Sequence, residues 1–349
     1  MLFSDMIETE THHIMPGVLA EGLVSLLIAA GGAGKSIVSC DLAARVSRGF
    51  TQPPWPLGDP EVDPDDVATP GQAIMAELED SATSTVLPRL RAAGADLTRI
   101  DDISHVERTS VTGAALRSRF GIGGTDGGDL GLLRRRITEL GDVRLVVIGP
   151  IMSAATSTVS YNQQMRLKVI DPLSELCADT GVAGLVIGHF TKGSTGITDP
   201  ARLIDYVGGS KGLTDAVRLA SVIVPSKDNP EVKMLMSLKS NMGTLPKPLE
   251  FRIAAEGFDD PDAHVEWKQP PLSLTSGAAM ARIEQRVVRE LTAAGRPMSA
   301  QELAMALGVT FQVVSMVLVH ARKERLVERR RGAWSLAPST APVLTTVGG

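Results

Sequence analysis

The sequence predicts an α/β chain in two parts: a large, mostly parallel sheet layered with helices, then a small basic module of three helices and a β-hairpin. Three observations carry this. Short, continuously apolar runs alternate with stretches of helical period up to about Ile253, as strands buried on both faces require. A glycine-rich hexapeptide, GGAGKS, falls where the first apolar run gives way to its helix. Charge then changes sign: Ala281 to Trp334 holds ten Arg or Lys and five Glu, a net of +5, which leaves 25 basic against 35 acidic residues elsewhere, a net of −10.

Composition excludes several classes. At 349 residues the chain is long enough for two or three domains, and 43% apolar content suffices for a large core. A net charge of −5 argues against a surface that is wholly a nucleic-acid platform. Aromatics are 3%, too few for a base-stacking array. Cys40 and Cys177 form neither a disulfide framework nor a zinc pattern, so a reducing, cytoplasmic setting is expected. The opening MLFSDMIETETHH lacks the pattern of a signal peptide, and no apolar run reaches the length of a membrane span.

Taken in order, Leu23–Ala30 reads as a buried strand and Ile37–Gly49 as a helix closed by glycine. Residues 51–71 are an acidic, proline-rich surface loop. GQAIMAEL is the next strand, and SATSTVLPRLRAAG a helix that its proline kinks. Leu130–Leu140 is a basic helix and Val143–Gly149 the most apolar strand. Gln163–Thr180 is helical and VAGLVIGHF a strand; GLTDAVRLASVIV and EVKMLMSLKS give a short helix and later strands. The domain reading is 1–257 for the α/β region, 258–279 for a linker rich in Pro, Ser, Gly and Asp, 280–337 for the basic module and 338–349 for a flexible tail.

GGAGKS between strand and helix is a phosphate-binding loop. Its glycines adopt angles closed to other residues and let amides crowd an anion. Ala30, Gly31, Gly32, Ala33, Gly34, Lys35, Ser36 and Ile37 are therefore the expected nucleotide contacts. Lys35 brings charge to the outer phosphates, the Ser36 hydroxyl is a magnesium donor, and the helix start adds its dipole. Alanine at position 29, where the full pattern has glycine, is a mild departure.

With these motifs in this order, the chain resembles the hexameric replicative-helicase branch of RecA-like ATPases, the group of RepA-like plasmid and phage proteins. MPGVLAEGLVSLLIAAGGAGKS, AIMAELEDSATSTVLPRLRAAG, YNQQMRLKVIDPLSELCADTGVAGLVIGHFTKG, GGSKGLTDAVR and SLKSNMG carry the resemblance, over roughly Met15 to Ile253. It implies a RecA-like P-loop NTPase core, ATP and Mg2+ as cofactors, DNA as partner and a ring-shaped homo-oligomer, a hexamer in that branch. It also implies that Glu79 polarises the attacking water and that His189 senses the terminal phosphate. Asp80 is placed either to hold magnesium or to cap the following helix. Taken alone, Glu79–Asp80 also reads as a solvated helix cap, and His189 as a polar strand end. Glu77, one strand repeat earlier on the same face, is the reserve base.

Two departures bear on activity. The strand ending at 149 should close on an aspartate that holds magnesium, yet Gly149 stands there, followed by Pro150. Position 208, where the branch often has an arginine that reaches a neighbouring subunit, is also glycine. Lys211, Arg218 and Lys239 are substitutes among which the sequence does not choose, and Arg218 has a local alternative, an ion pair with Asp215.

In the basic module, Ile283, Val287, Val288 and Leu291 mark one helix face. Ser299 and Glu302 have capping-box spacing before a second helix. Phe311 to Lys323 is the third, and LVERRRGAWSL a hairpin around Arg331–Gly332. Three helices and a hairpin predict a winged helix-turn-helix domain. Its third helix offers Gln312 and Ser315 to base edges; Arg322, Lys323, Arg329, Arg330 and Arg331 would grip phosphates. Such modules also dock proteins. Two functions fit the whole chain: a DNA-associated ATPase or helicase motor acting in DNA replication, and an ATP-dependent DNA-binding, loader or regulatory protein with weak or no hydrolysis. A small-molecule kinase fits poorly, since it has no use for such a module.

Overall fold

The computed structural model describes residues 11–15, 17–49, 70–109, 113–123, 127–156, 163–191, 200–207, 211–226, 228–229, 231–243, 245–246, 248–255, 260–267, 277–307, 311–330 and 332–337. These fall into two compact units, 11–267 and 277–337. Residues 51–69 of the loop expected over 51–71, Gly208, Arg331 and the tail from 338 lie outside the described residues, as do the side chains of Lys211 and Gln312.

The first unit opens with a small antiparallel pair, β1 (His13–Met15) and β2 (Leu19–Ala20), followed by β3 (Val24–Ala29) and helix α1 (Lys35–Arg48). Gly49 ends α1 in the left-handed region (φ 77°), where its amide caps the Arg45 and Val46 carbonyls. Next come β4 (Gln72–Glu77), a π-type turn (Ala82–Val86) and α2 (Leu87–Ala92), with Pro88 in the first turn of α2. The proline thus starts a helix where the sequence suggested a kink; the helix interior could not spare an amide, but its first turn can. Strands β5 (Ile100–Asp102), β6 (His105–Thr109) and β7 (Ala115–Arg119) follow, then α3 (Leu130–Leu140), β8 (Val143–Gly149) and α4 (Ile151–Ala154). The helix expected over 163–180 is α5 (Gln163–Met165) and α6 (Asp171–Thr180), joined by a π-type turn. The unit closes with β9 (Ala183–His189), α7 (Lys211–Ala216), β10 (Leu219–Pro225), β11 (Lys233–Ser240), β12 (Leu249–Ala254) and β13 (His264–Trp267).

Among the described residues the main sheet has nine strands, in the order β13-β12-β11-β10-β3-β9-β8-β4-β5. From β5 to β10 every pairing is parallel; β11, β12 and β13 extend the sheet as antiparallel neighbours. Side chains alternate between two cores with the period of two that a strand imposes. Val24, Leu26, Ile28, Val146 and Ile148 pack with α3 and α6 through Leu133, Leu173 and Leu176. Leu27, Ala29, Leu145 and Val147 pack with α1 and α2 through Val38, Leu42 and Leu90. Helices cover both faces, which is why these strands read as unbroken apolar runs. The arrangement is a mostly parallel α/β sheet with helices on both faces and the glycine-rich loop at the end of β3.

The antiparallel extension went unread in one place. Strand β13 lies inside 258–279, which the sequence marks as linker, yet it pairs along β12 from Phe251↔Trp267 to Ala254↔His264. Trp267 is 5% exposed. Its Nε1 donates to Asp41 Oδ2 (2.8 Å), which also accepts from Arg45 Nε (2.7 Å), and its ring centroid is 5.0 Å from that of Phe251. Pro, Ser and Gly around this segment masked a strand that one tryptophan anchors.

The second unit contains α8 (Gly277–Ala294), α9 (Ala300–Leu307), α10 (Phe311–Lys323) and an antiparallel hairpin, β14 (Val327–Arg330) with β15 (Ala333–Leu336). Its own core holds Ile283, Val287, Leu291, Leu303, Val314, Leu318 and Trp334. The capping box is complete: Glu302 N donates to Ser299 Oγ (3.1 Å) and Ser299 N to Glu302 Oε2 (2.7 Å), an arrangement worth about 1 kcal/mol. Met298 and Trp334 exchange both backbone bonds, which adds a short third edge to the hairpin.

Candidate functional site

Four parallel strands end together. Ala29, Glu77, Gly149 and His189 are the last residues of β3, β4, β8 and β9, and they are register partners in two pairs, Ala29↔His189 and Glu77↔Gly149. The chain leaves β3, crosses β9 and β8 and returns to the sheet at β4. That reversal opens a crevice at the carboxyl ends of the strands, where open α/β sheets bind their ligands.

The glycine loop fills this crevice. Gly32 (φ 71°) and Gly34 (φ 97°) both occupy left-handed geometry, and Gly34 is tightly overlaid: a Cβ there would lie 2.4 Å from Ile253 Cδ1. Lys35, 7% exposed, folds back so that Nζ donates to the carbonyls of Ala29 (3.2 Å) and Ala30 (2.9 Å). Burial lowers its pKa, opposed by the negative charges of Glu79 and then Glu77. Gly31, Gly32, Ala33 and Ala30 are exposed or half-exposed at the loop surface, and Ile37, in the first turn of α1, packs against the core.

The carboxylates have separate surroundings. Glu79 Oε1 accepts from Ser153 Oγ (3.2 Å), and Glu79 Oε2 lies 3.7 Å from His189 Nε2. Burial, then the neighbouring Lys35, lowers the His189 pKa against the pull of Glu79. The imidazole is therefore neutral at pH 7, and this contact is not an ion pair. Asp80 neither caps the following turn nor stands open. It accepts from Arg89 Nη1 (2.7 Å), and the same nitrogen donates to Ser36 Oγ (2.8 Å). The cap is Ser81, whose Oγ accepts from Ser84 N. Glu77 is pushed up to about 7, first by burial and then by Asp80, against a hydrogen bond from the Glu79 amide.

Magnesium favours hard oxygen donors and octahedral shells shared with phosphates and water. The residues fit: the Ser36 hydroxyl lies in the first turn of α1, Glu77 ends β4, and Glu79 and Asp80 follow it. Among the described residues no three His, Cys, Asp or Glu side chains converge as a free-standing metal site.

Position 149 closes one expectation. A Cβ there would meet Ile187 Cγ1 at 2.8 Å, so β9 leaves no space for an aspartate without repacking. Among the substitutes for the missing arginine, Lys239 is turned inward: Nζ donates to the carbonyls of Thr214 (2.9 Å) and Asp215 (3.3 Å) at the end of α7. Arg218 is exposed, and no ion pair joins it to Asp215 among the described residues.

Three groups escaped the sequence reading. Arg89 was visible only as a helix arginine and Ser153 as one serine among several. Lys233 donates from Nζ to the Ala33 carbonyl (2.9 Å) across 200 residues, a separation at which local pattern carries no signal. The buried thiols of Cys40 and Cys177 are pushed up to about 12 by burial, which keeps them unreactive.

In the second unit, Arg322 and Lys323 are exposed in the last turn of α10, and Ser315 is half-buried. Arg330 pairs with Glu328 (Nε–Oε1 3.0 Å), and the Arg329 guanidinium lies 5.6 Å from the Trp334 ring centroid. Both arginines remain exposed, yet each has a local partner. No helix among the described residues is long and apolar enough to cross a membrane.

No curated protein matches the chain. Among solved structures it is similar to that of an ATPase domain, with 10% identity and a TM-score of 0.48 over 72% of this chain and 86% of that one. A family model described as an AAA domain matches residues 4–195, more than half of the sequence. That span takes in the glycine loop, Glu79 and His189, so the match and the crevice describe the same part of the molecule, and the chain belongs to the AAA domain family.

Proposed function

We propose that this chain is an ATP-binding, DNA-associated ATPase of the RepA-like helicase type, which hydrolyses ATP to ADP and phosphate in DNA replication and works as a ring-shaped homo-oligomer, a hexamer by its resemblance. The observation that carries the reading is the convergence of Lys35, Ser36, Glu79 and His189 on the carboxyl ends of four parallel strands.

Lys35 leaves the Ala29 and Ala30 carbonyls for the outer phosphates of the nucleotide, where its charge offsets theirs. Glu79 accepts the proton of the attacking water, with Ser153 fixing one of its oxygens. His189, neutral and beside Glu79, is placed to report on the terminal phosphate. Bound magnesium supplies neutralisation of the phosphate charge; Ser36 and the carboxylates of the crevice are the residues that would hold it. Arg89 Nη1 already donates to the Ser36 hydroxyl, so a metal held there would share that oxygen with it.

Lys35→Ala is expected to weaken ATP binding by about 10- to 100-fold, the worth of one charge-assisted contact, as measured by equilibrium dialysis. DNA-stimulated phosphate release should vanish with it. Unstimulated wild-type binding with no turnover would favour the second reading, a loader or regulator that binds ATP without fast hydrolysis, which Gly149 supports. Particle size with and without ATP tests the ring.

For the second unit we propose a winged-helix domain that holds DNA. Arg329→Ala with Arg330→Ala should lower DNA affinity and flatten the slope of log affinity against log salt by about 1 to 2, one counterion per phosphate contact. An unchanged titration would assign the module to protein docking.

A further inference from the structure

We propose that Glu77 supplies the magnesium carboxylate that position 149 lacks, so that this duty has moved one strand across the sheet, from β8 to β4. The inference rests on the ATP-binding reading above.

Register is the first support. Glu77 and Gly149 are direct partners in the β4–β8 ladder, and Leu78 N donates to the Gly149 carbonyl (2.7 Å) just beyond them. Space is the second. Glu77 Oε2 lies 3.5 Å from where a Cβ at 149 would stand, while Ile187 closes the same place from β9 at 2.8 Å. The Glu77 carboxylate therefore occupies the room that a side chain from β8 would have used. A residue with a Cβ at 149 would be crowded by Ile187 and would touch the Glu77 carboxylate at ordinary contact distance.

Elimination among the neighbouring carboxylates is the third. Asp80 is neutralised by Arg89 at 2.7 Å. Glu79 is engaged by Ser153 and lies beside His189. Glu77 has no side-chain hydrogen bond or ion pair among the described residues; the Glu79 amide is its hydrogen-bond donor. Partial burial of a carboxylate is costly, and a divalent ion held with the nucleotide would offset that cost beyond what the charges of Arg89 and Lys35 already do.

The test uses Mn2+ as the probe, with the full chain and ADP, and reads free Mn2+ by electron paramagnetic resonance. Wild-type protein should take up Mn2+ in an ADP-dependent manner. Glu77→Gln should weaken that uptake by about tenfold or more, the usual effect of losing one supporting group at a metal, while ADP binding in EDTA stays at the wild-type level and shows the loop intact. Glu77→Asp keeps the charge and should retain more Mn2+ than Glu77→Gln. Glu79→Gln should weaken Mn2+ uptake less than Glu77→Gln does. The proposal is overturned if Glu77→Gln binds Mn2+ as wild type does, if Glu77→Gln and Glu77→Asp are equal, or if Glu79→Gln loses as much as Glu77→Gln. Wild-type protein that takes up no ADP with or without Mn2+ would instead remove the ATP-binding reading itself, before any variant is compared.

Discussion

Glu79→Gln is expected to cut ATP turnover by about 10²- to 10⁴-fold, the usual worth of a positioned general base, with nucleotide affinity unchanged. The amide keeps the size of the carboxylate and can still meet Ser153 Oγ, which stands 3.2 Å from Oε1. What it loses is the capacity to accept the proton of the attacking water. Phosphoryl transfer leaves little else for the protein to do chemically, so the loss should fall on kcat and spare binding. Single-turnover phosphate release, compared with ADP affinity by dialysis, separates the two. Equal loss in both would place Glu79 in binding; normal turnover would transfer the base to another carboxylate of the crevice.

Trp267→Ala should lower unfolding free energy by about 3–5 kcal/mol, the range for emptying the place of a large aromatic residue. The indole is 5% exposed, packs beside Phe251 and donates to Asp41. Its removal leaves a cavity under the edge of the sheet and withdraws one of the two donors on a buried carboxylate. Trp267→Phe should cost less, about 1–3 kcal/mol, because it keeps most of the volume and loses mainly the N–H. Urea denaturation followed by circular dichroism measures both. A midpoint unchanged in Trp267→Ala would mean that β13 adds nothing to the sheet's stability.

Most of the parallel core was legible because burial on both faces forces a simple code. Val143–Gly149 is apolar apart from Arg144, and it is β8 to the residue. The glycine loop was legible for a related reason: its geometry permits few residues at Gly32 and Gly34. The helices of the second unit announced themselves through period and through the Ser299–Glu302 pair, which closes as its spacing predicted. The outer sheet was harder. Strands β12 and β13 are half-solvated, and β13 has four residues between proline-rich stretches, so its assignment depends on Asp41, which is 226 residues away from Trp267. The crevice was legible in its parts and illegible in its pairings. Glu79, Asp80 and His189 could be named; that Asp80 belongs to Arg89, and that Glu77 faces Gly149 across a ladder, are facts of tertiary register.

Lys233 and Ile253 give the nucleotide loop a dependence on time. The Ala33 carbonyl is held by an ammonium from β11, and Gly34 is roofed by a methyl from β12. During synthesis the loop emerges early, but its supports follow some two hundred residues later. A nascent chain halted before Lys233 has every residue of the phosphate cradle and neither of these supports. Nucleotide grip should therefore mature only once the antiparallel edge has left the ribosome, which delays ATP capture until the sheet is nearly whole.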